Sequence, residues 1–62
     1  MNDVTVLIVD DESRMRKLIK DFLMQKNYKI LEAGDGEEAL KVFEENQNKI
    51  SVILLDVMIM KL

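Results

Sequence analysis

Carboxylates stand where the apolar runs stop. Val4-Thr5-Val6-Leu7-Ile8-Val9 is an almost unbroken aliphatic and β-branched run that ends abruptly in Asp10-Asp11-Glu12. A second such run, Ile50–Leu55, ends at Asp56. Acidic groups gathered at one point repel one another and hold on to protons unless a cation joins them. An oxygen-only donor set with open positions suits Mg²⁺ or Mn²⁺, which keep several waters when bound. A lone Asp at a strand end is more often a turn former or a helix cap. A pair at one strand end with a third at another reverses that balance.

Whether the three meet depends on the elements that carry them. A short run apolar at nearly every position indicates a strand buried on both faces, as in a parallel sheet. After the first run, Ser13 is a candidate N-cap, and Met15, Leu18, Ile19, Phe22 and Leu23 form the apolar stripe of an amphipathic helix. Arg14, Arg16, Lys17, Lys20 and Asp21 fall mainly off that stripe, on a solvated face, and the helix is expected to stop near Lys26-Asn27. Tyr28–Ala33 alternates and carries polar residues, which suits an edge strand. Gly34-Asp35-Gly36 is the clearest turn signal. Asp35 followed by Glu38 has the pattern of a capping box, so Asp35 is read as a cap and not a ligand.

The second helix then presents Ala39, Leu40 and Phe43 as one apolar strip with Val42 beside it, and Glu37, Glu38, Lys41, Glu44 and Glu45 to water. Asn46–Lys49 is a polar connection to the third strand. The order is β-α-β-α-β, an α/β pattern whose connections are right-handed crossovers between parallel strands. In such a sheet the carboxyl ends of the strands share one edge, and ligands bind outside that edge. Asp10, Asp11 and Asp56 are therefore expected to converge there.

Composition removes most other chemistries. The chain has 62 residues with no Cys, no His and no Pro, so disulfides and zinc sites of the usual kind are excluded. Nine Lys and Arg against twelve Asp and Glu give a net charge of −3 with no basic stripe, so binding to nucleic acid by this chain is not expected. The longest apolar stretch, interrupted by Asp56, falls far short of a membrane span, and Met1-Asn2-Asp3 lacks the cationic start of a signal peptide. A cytoplasmic location is expected.

Three blocks carry a family resemblance: Val6-Leu7-Ile8-Val9-Asp10-Asp11-Glu12, Gly34-Asp35-Gly36-Glu37-Glu38-Ala39-Leu40 and Ile53-Leu54-Leu55-Asp56-Val57-Met58. In this order and spacing they resemble the receiver domain of bacterial response regulators, the phospho-accepting modules of two-component signalling. Each block is weak alone; together they are highly specific. The resemblance implies the first three strands and two helices of a flavodoxin-like doubly wound sheet, with strand order 2-1-3. It implies that residues 1–62 form a truncated receiver domain, about the first half of the family's module. By the same resemblance Asp56 is the phospho-acceptor, Asp11 ligates Mg²⁺ directly, Asp10 acts largely through water, and the backbone carbonyl of Met58 completes the protein's share of the site. The phosphoryl group would come from a histidine kinase or a small phosphodonor, and no further enzymatic activity is implied.

Two departures from the pattern bear on function. Met60 stands where the family commonly has Pro, and the hydroxyl residue and Lys that sense the phosphoryl group belong to later strands, so switching is expected to be lost. Order 2-1-3 also leaves the third strand as an open edge, formed by Ile50, Val52, Ile53, Leu54, Leu55, Val57, Met58 and Ile59. Such an edge is a template for pairing, and a homodimer is the expected outcome. A half-domain acting only as a self-associating structural unit is the alternative reading. A hydrolase that uses strand-end carboxylates and Mg²⁺ fits less well, because Glu12 stands two residues beyond Asp10 and later catalytic segments are lacking.

Overall fold

The computed structural model describes residues 4–55 and the backbone of 58–61. β1 (Thr5–Val9) lies at the centre of the parallel part of the sheet, between β2 (Lys29–Ala33) and β3 (Val52–Leu55). Leu7 stands opposite Leu31 and Ile53, and Val9 opposite Ala33 and Leu55. Helices α1 (Ser13–Met24) and α2 (Gly36–Glu45) make the two crossovers. The three parallel strands thus run in order 2-1-3, as the resemblance implies.

Residues two apart along a strand share a face. Leu7, Val9, Ala33 and Ile50 form the buried core, with Ala39, Val42 and Phe43 of α2 packed against it. Leu40, expected in the same strip, is 65% exposed at the rim of an apolar groove that it shares with Phe43, Leu7 and Ile53. The α1 stripe also divides. Ile19 and Leu23 are half-buried, whereas Met15, Leu18 and Phe22 are exposed, Leu18 by 65% and Phe22 by 59%. Arg16 and Lys20 share the sheet-facing side of the helix with Ile19 and Leu23, because both bind Glu32 on β2. At about 100° per residue, this orientation swings Met15, Leu18 and Phe22 roughly 120° away from the sheet.

Local chemistry fixes the helix ends. Ser13 opens α1 without capping it; Glu12 occupies the N-cap position with no side-chain bond, and its carbonyl accepts from the Arg16 backbone at 3.0 Å. Asn27 has φ 68°, in the left-handed region that Asn tolerates better than other residues with a Cβ. Its N–H donates to Met24 and that of Tyr28 to Leu23, so two carbonyls of the last turn are satisfied as in a Schellman closure. At α2 the Asp35 Oδ1 accepts from the Glu38 backbone at 2.8 Å, as expected of a cap. The Glu38 carboxylate reaches back to the N–H of Gly34, also at 2.8 Å, one residue earlier than a strict capping box.

The edge of β3 differs from the expectation. β4 (Met58–Lys61) pairs antiparallel with β3, Leu55 opposite Met58 and Val52 opposite Lys61. The backbone of Val52, Ile53, Leu54 and Leu55 is therefore paired on both sides and is not an open edge; Ile50 is buried before the strand begins. Ile59, expected to extend that edge, lies in β4 opposite Leu54, and Val57 falls outside the described residues. Unpaired donors and acceptors on an apolar strand are costly, and the chain's own next segment satisfies them at the lowest entropic cost.

Asp35→Ala is expected to lower stability by about 1 kcal/mol through loss of the cap. Asn27→Gly is expected to raise it by roughly 0.5 kcal/mol, since Gly has no Cβ to strain at positive φ. Urea midpoints of the two variants check both signs.

Candidate functional site

β1 delivers Asp10 and Asp11 to the carboxyl edge of the sheet. Asp10 is only 8% exposed. Its N–H donates to the Ala33 carbonyl at 3.1 Å, extending the β1–β2 ladder by one step. Its Oδ1 accepts from the Glu12 N–H at 2.9 Å, which turns the chain sharply into α1. Asp11, between them, is exposed. Asp10 and Asp11 line an open groove with Gly34, Asp35, Gly36 and Leu55. Asp35, also on the wall of this groove, is already committed as the cap of α2.

Leu55, opposite Val9, is the last described residue of β3. Asp56, which follows it directly, lies outside the described residues, so among those residues no group of three acidic side chains meets. Met58 enters β4 opposite Leu55, at the same edge, but only its backbone is described. Two adjacent carboxylates, one buried and one exposed, form an oxygen-only donor set beside the end of β3. That set fits a hard divalent cation such as Mg²⁺.

The ionic network beneath this edge was not anticipated from the sequence. Glu32 on β2 receives Arg16 Nε on Oε1 and Lys20 Nζ on Oε2, both at 3.1 Å. Arg16 also donates from Nη1 to the backbone carbonyl of Asp10. Partial burial by itself would push the Glu32 carboxyl up, but hydrogen bonds from Lys20 and Arg16, with their charges, outweigh it and hold it below its ordinary value. The available signals were an acidic residue inside a short strand and two cations four residues apart on the helix before it. Helical periodicity alone assigns Arg16 and Lys20 to water.

A family model for the response regulator receiver domain matches residues 6–62. The chain belongs to the response regulator receiver family. It is 45% identical over 58 residues to the transcriptional regulatory protein ResD of Bacillus subtilis, covering 92% of this chain and 23% of that protein. It is 46% identical over 57 residues to the probable transcriptional regulator ycf27 of Guillardia theta, covering 92% and 22%. The transcriptional regulatory protein SrrA of Staphylococcus aureus is 44% identical over 54 residues, covering 87% and 22%. The chain thus spans less than a quarter of the length of these relatives. No solved structure matches it. Among the described residues, no helix of this receiver segment is long and apolar enough to cross a membrane.

The lowered pKa of Glu32 fixes a pH dependence. Its ionised form favours the folded state, so its contribution is full above the unfolded carboxylate value of about 4.3 and is lost as pH falls through the lower folded value. Because a third of the Glu32 side chain is exposed, the contribution is expected to stay under about 1 kcal/mol. The stability gap between the parent and Glu32→Gln, from urea midpoints between pH 3 and 7, is expected at pH 7 and closes toward pH 3.

Proposed function

We propose that this chain is the phospho-accepting part of a response-regulator receiver, with Asp56 as acceptor. The observation that carries the reading is the arrival of Asp10 and Asp11 at the sheet edge where β3, one residue short of Asp56, also ends. Asp11 and Asp56 would ligate Mg²⁺ (or Mn²⁺) directly, Asp10 through water, and Met58 by its backbone carbonyl. When bound, the cation supplies positive charge that offsets repulsion between Asp56 and the phosphoryl oxygens.

In the transfer, a carboxylate oxygen of Asp56 forms the new bond to phosphorus. The phosphorus bond to a histidine nitrogen of a kinase, or to the acyl oxygen of a small phosphodonor, breaks, and that group departs with the electron pair. Asp10, already bonded to the Glu12 N–H, holds the turn that presents Asp11. On this reading the segment receives the phosphoryl group, and transmission to an output lies outside residues 1–62. The relatives' names, transcriptional regulatory proteins, support a parent protein that regulates transcription; membership of the receiver family supports a histidine kinase or small phosphodonor as its partner and a cytoplasmic location.

Self-association is a second reading. Leu18, Phe22 and Leu40 leave large apolar side chains exposed, which favours it. Sedimentation equilibrium is expected to give a dimer mass; a monomer at every concentration tested would remove this reading.

Incubation with Mg²⁺ and acetyl phosphate, followed by intact-mass measurement, is expected to show one added phosphoryl group. Asp56→Asn is expected to show none. Equal labelling of the variant, or no labelling of folded parent chain, would overturn Asp56 as acceptor.

A further inference from the structure

Arg16 is not a cation ligand, yet it reaches the backbone of the acidic pair from α1. Its Nη1 donates to the backbone carbonyl of Asp10, while its Nε holds Glu32 Oε1 at 3.1 Å. One planar group therefore ties α1, the residue that follows β1, and β2 together. Glu32 is braced in turn by Lys20 at 3.1 Å, which fixes the direction from which Arg16 arrives. The guanidinium also passes 3.6 Å from the space a Cβ on Gly34 would occupy, on the wall of the acidic groove.

We propose that Arg16 is a positioning residue for the cation site. It holds the Asp10 peptide so that the Asp10 carboxylate stays on the Glu12 N–H and Asp11 stays presented at the edge. This inference rests on the proposed Mg²⁺-assisted phosphoryl acceptance. The chemistry of the fork sets its specificity. A guanidinium donates in two fixed directions at once, whereas an ammonium is a point charge on a flexible stem. Lys at this position would keep the charge near Glu32 but not reach both acceptors in one plane. A merely electrostatic or stabilising role would survive that exchange; a positioning role would not.

Groups that orient metal ligands from behind typically change metal affinity 10- to 100-fold when removed. The test is calorimetric titration of Mg²⁺ into the parent chain, Arg16→Ala, Arg16→Lys and Val42→Ala. The last is a stability control in the α2 core, away from the groove. Affinity is expected to fall about 10-fold for both Arg16 variants and to stay within twofold for Val42→Ala. Amide exchange at Glu12, whose N–H the Asp10 carboxylate accepts, is expected to quicken in the Arg16 variants alone.

Mg²⁺ affinity within twofold of the parent in folded Arg16→Ala would overturn the positioning role. So would an equal loss in Val42→Ala, which would trace the effect to global stability. Asp11→Asn separates the two layers of the argument. If it abolishes binding while the Arg16 variants stay within twofold of the parent, the cation site stands and the positioning role falls. If the folded parent itself binds no Mg²⁺, the cation-site reading falls, and the positioning role with it.

Discussion

β1 is hydrogen-bonded along both edges, and the position of everything else is set by it. Its residues are buried throughout, and Leu7 and Ile8 are the largest side chains fully excluded from water. Because β2 and β3 run parallel to it in register, all three strands finish at one edge. A parallel sheet cannot place one strand's carboxyl end beside its neighbour's amino end. The acidic turn after Val9 is consequently brought beside the end of β3 by backbone hydrogen bonding alone, before any side chain at the site acts.

The two faces of this sheet are covered by different physics. On one, Ala39, Val42 and Phe43 of α2 pack on Leu7, Val9 and Ala33. On the other, α1 is held partly by Ile19 and Leu23 and partly by the ion pairs of Arg16 and Lys20 with Glu32. Each pair is partly exposed and individually modest. Both meet the same carboxylate, and Arg16 adds a bond to the β1 terminus, so together they decide which side of α1 faces the sheet. The consequence is an outward apolar strip of Met15, Leu18 and Phe22 in place of a buried one.

Much of this was legible in the sequence because it is local. The strands follow from the β-branched runs, and Asp35 was identifiable as a cap from its spacing to Glu38, a bond that forms within one turn. Asn27 marked the end of α1 for a similar reason: few residues accept positive φ, and Asn is one of them. The split of the α1 stripe was not legible. Periodicity says which residues lie near one another on a helix, but the rotation of the helix against its neighbours depends on partners far away in sequence. Leu40 went the same way: with Ala39, Val42 and Phe43 turned onto the core, it lies about 100° around α2 from the centre of the buried face. The pairing of β4 with β3 carried no turn signal of Gly or Pro and was likewise missed.

By itself, then, the amino-acid sequence determined the α/β order, the caps, the identity of the carboxylates and the family to which they belong. Each of these is written in neighbouring residues or in short motifs, and local chemistry enforces them. The tertiary structure alone decided that Glu32 draws in Arg16 and Lys20, that Arg16 reaches the Asp10 carbonyl, and that β3 finds a partner in the segment that follows it. Those are choices among contacts that close only after the chain has folded, and their energies depend on burial and direction, which residue types and spacing do not carry.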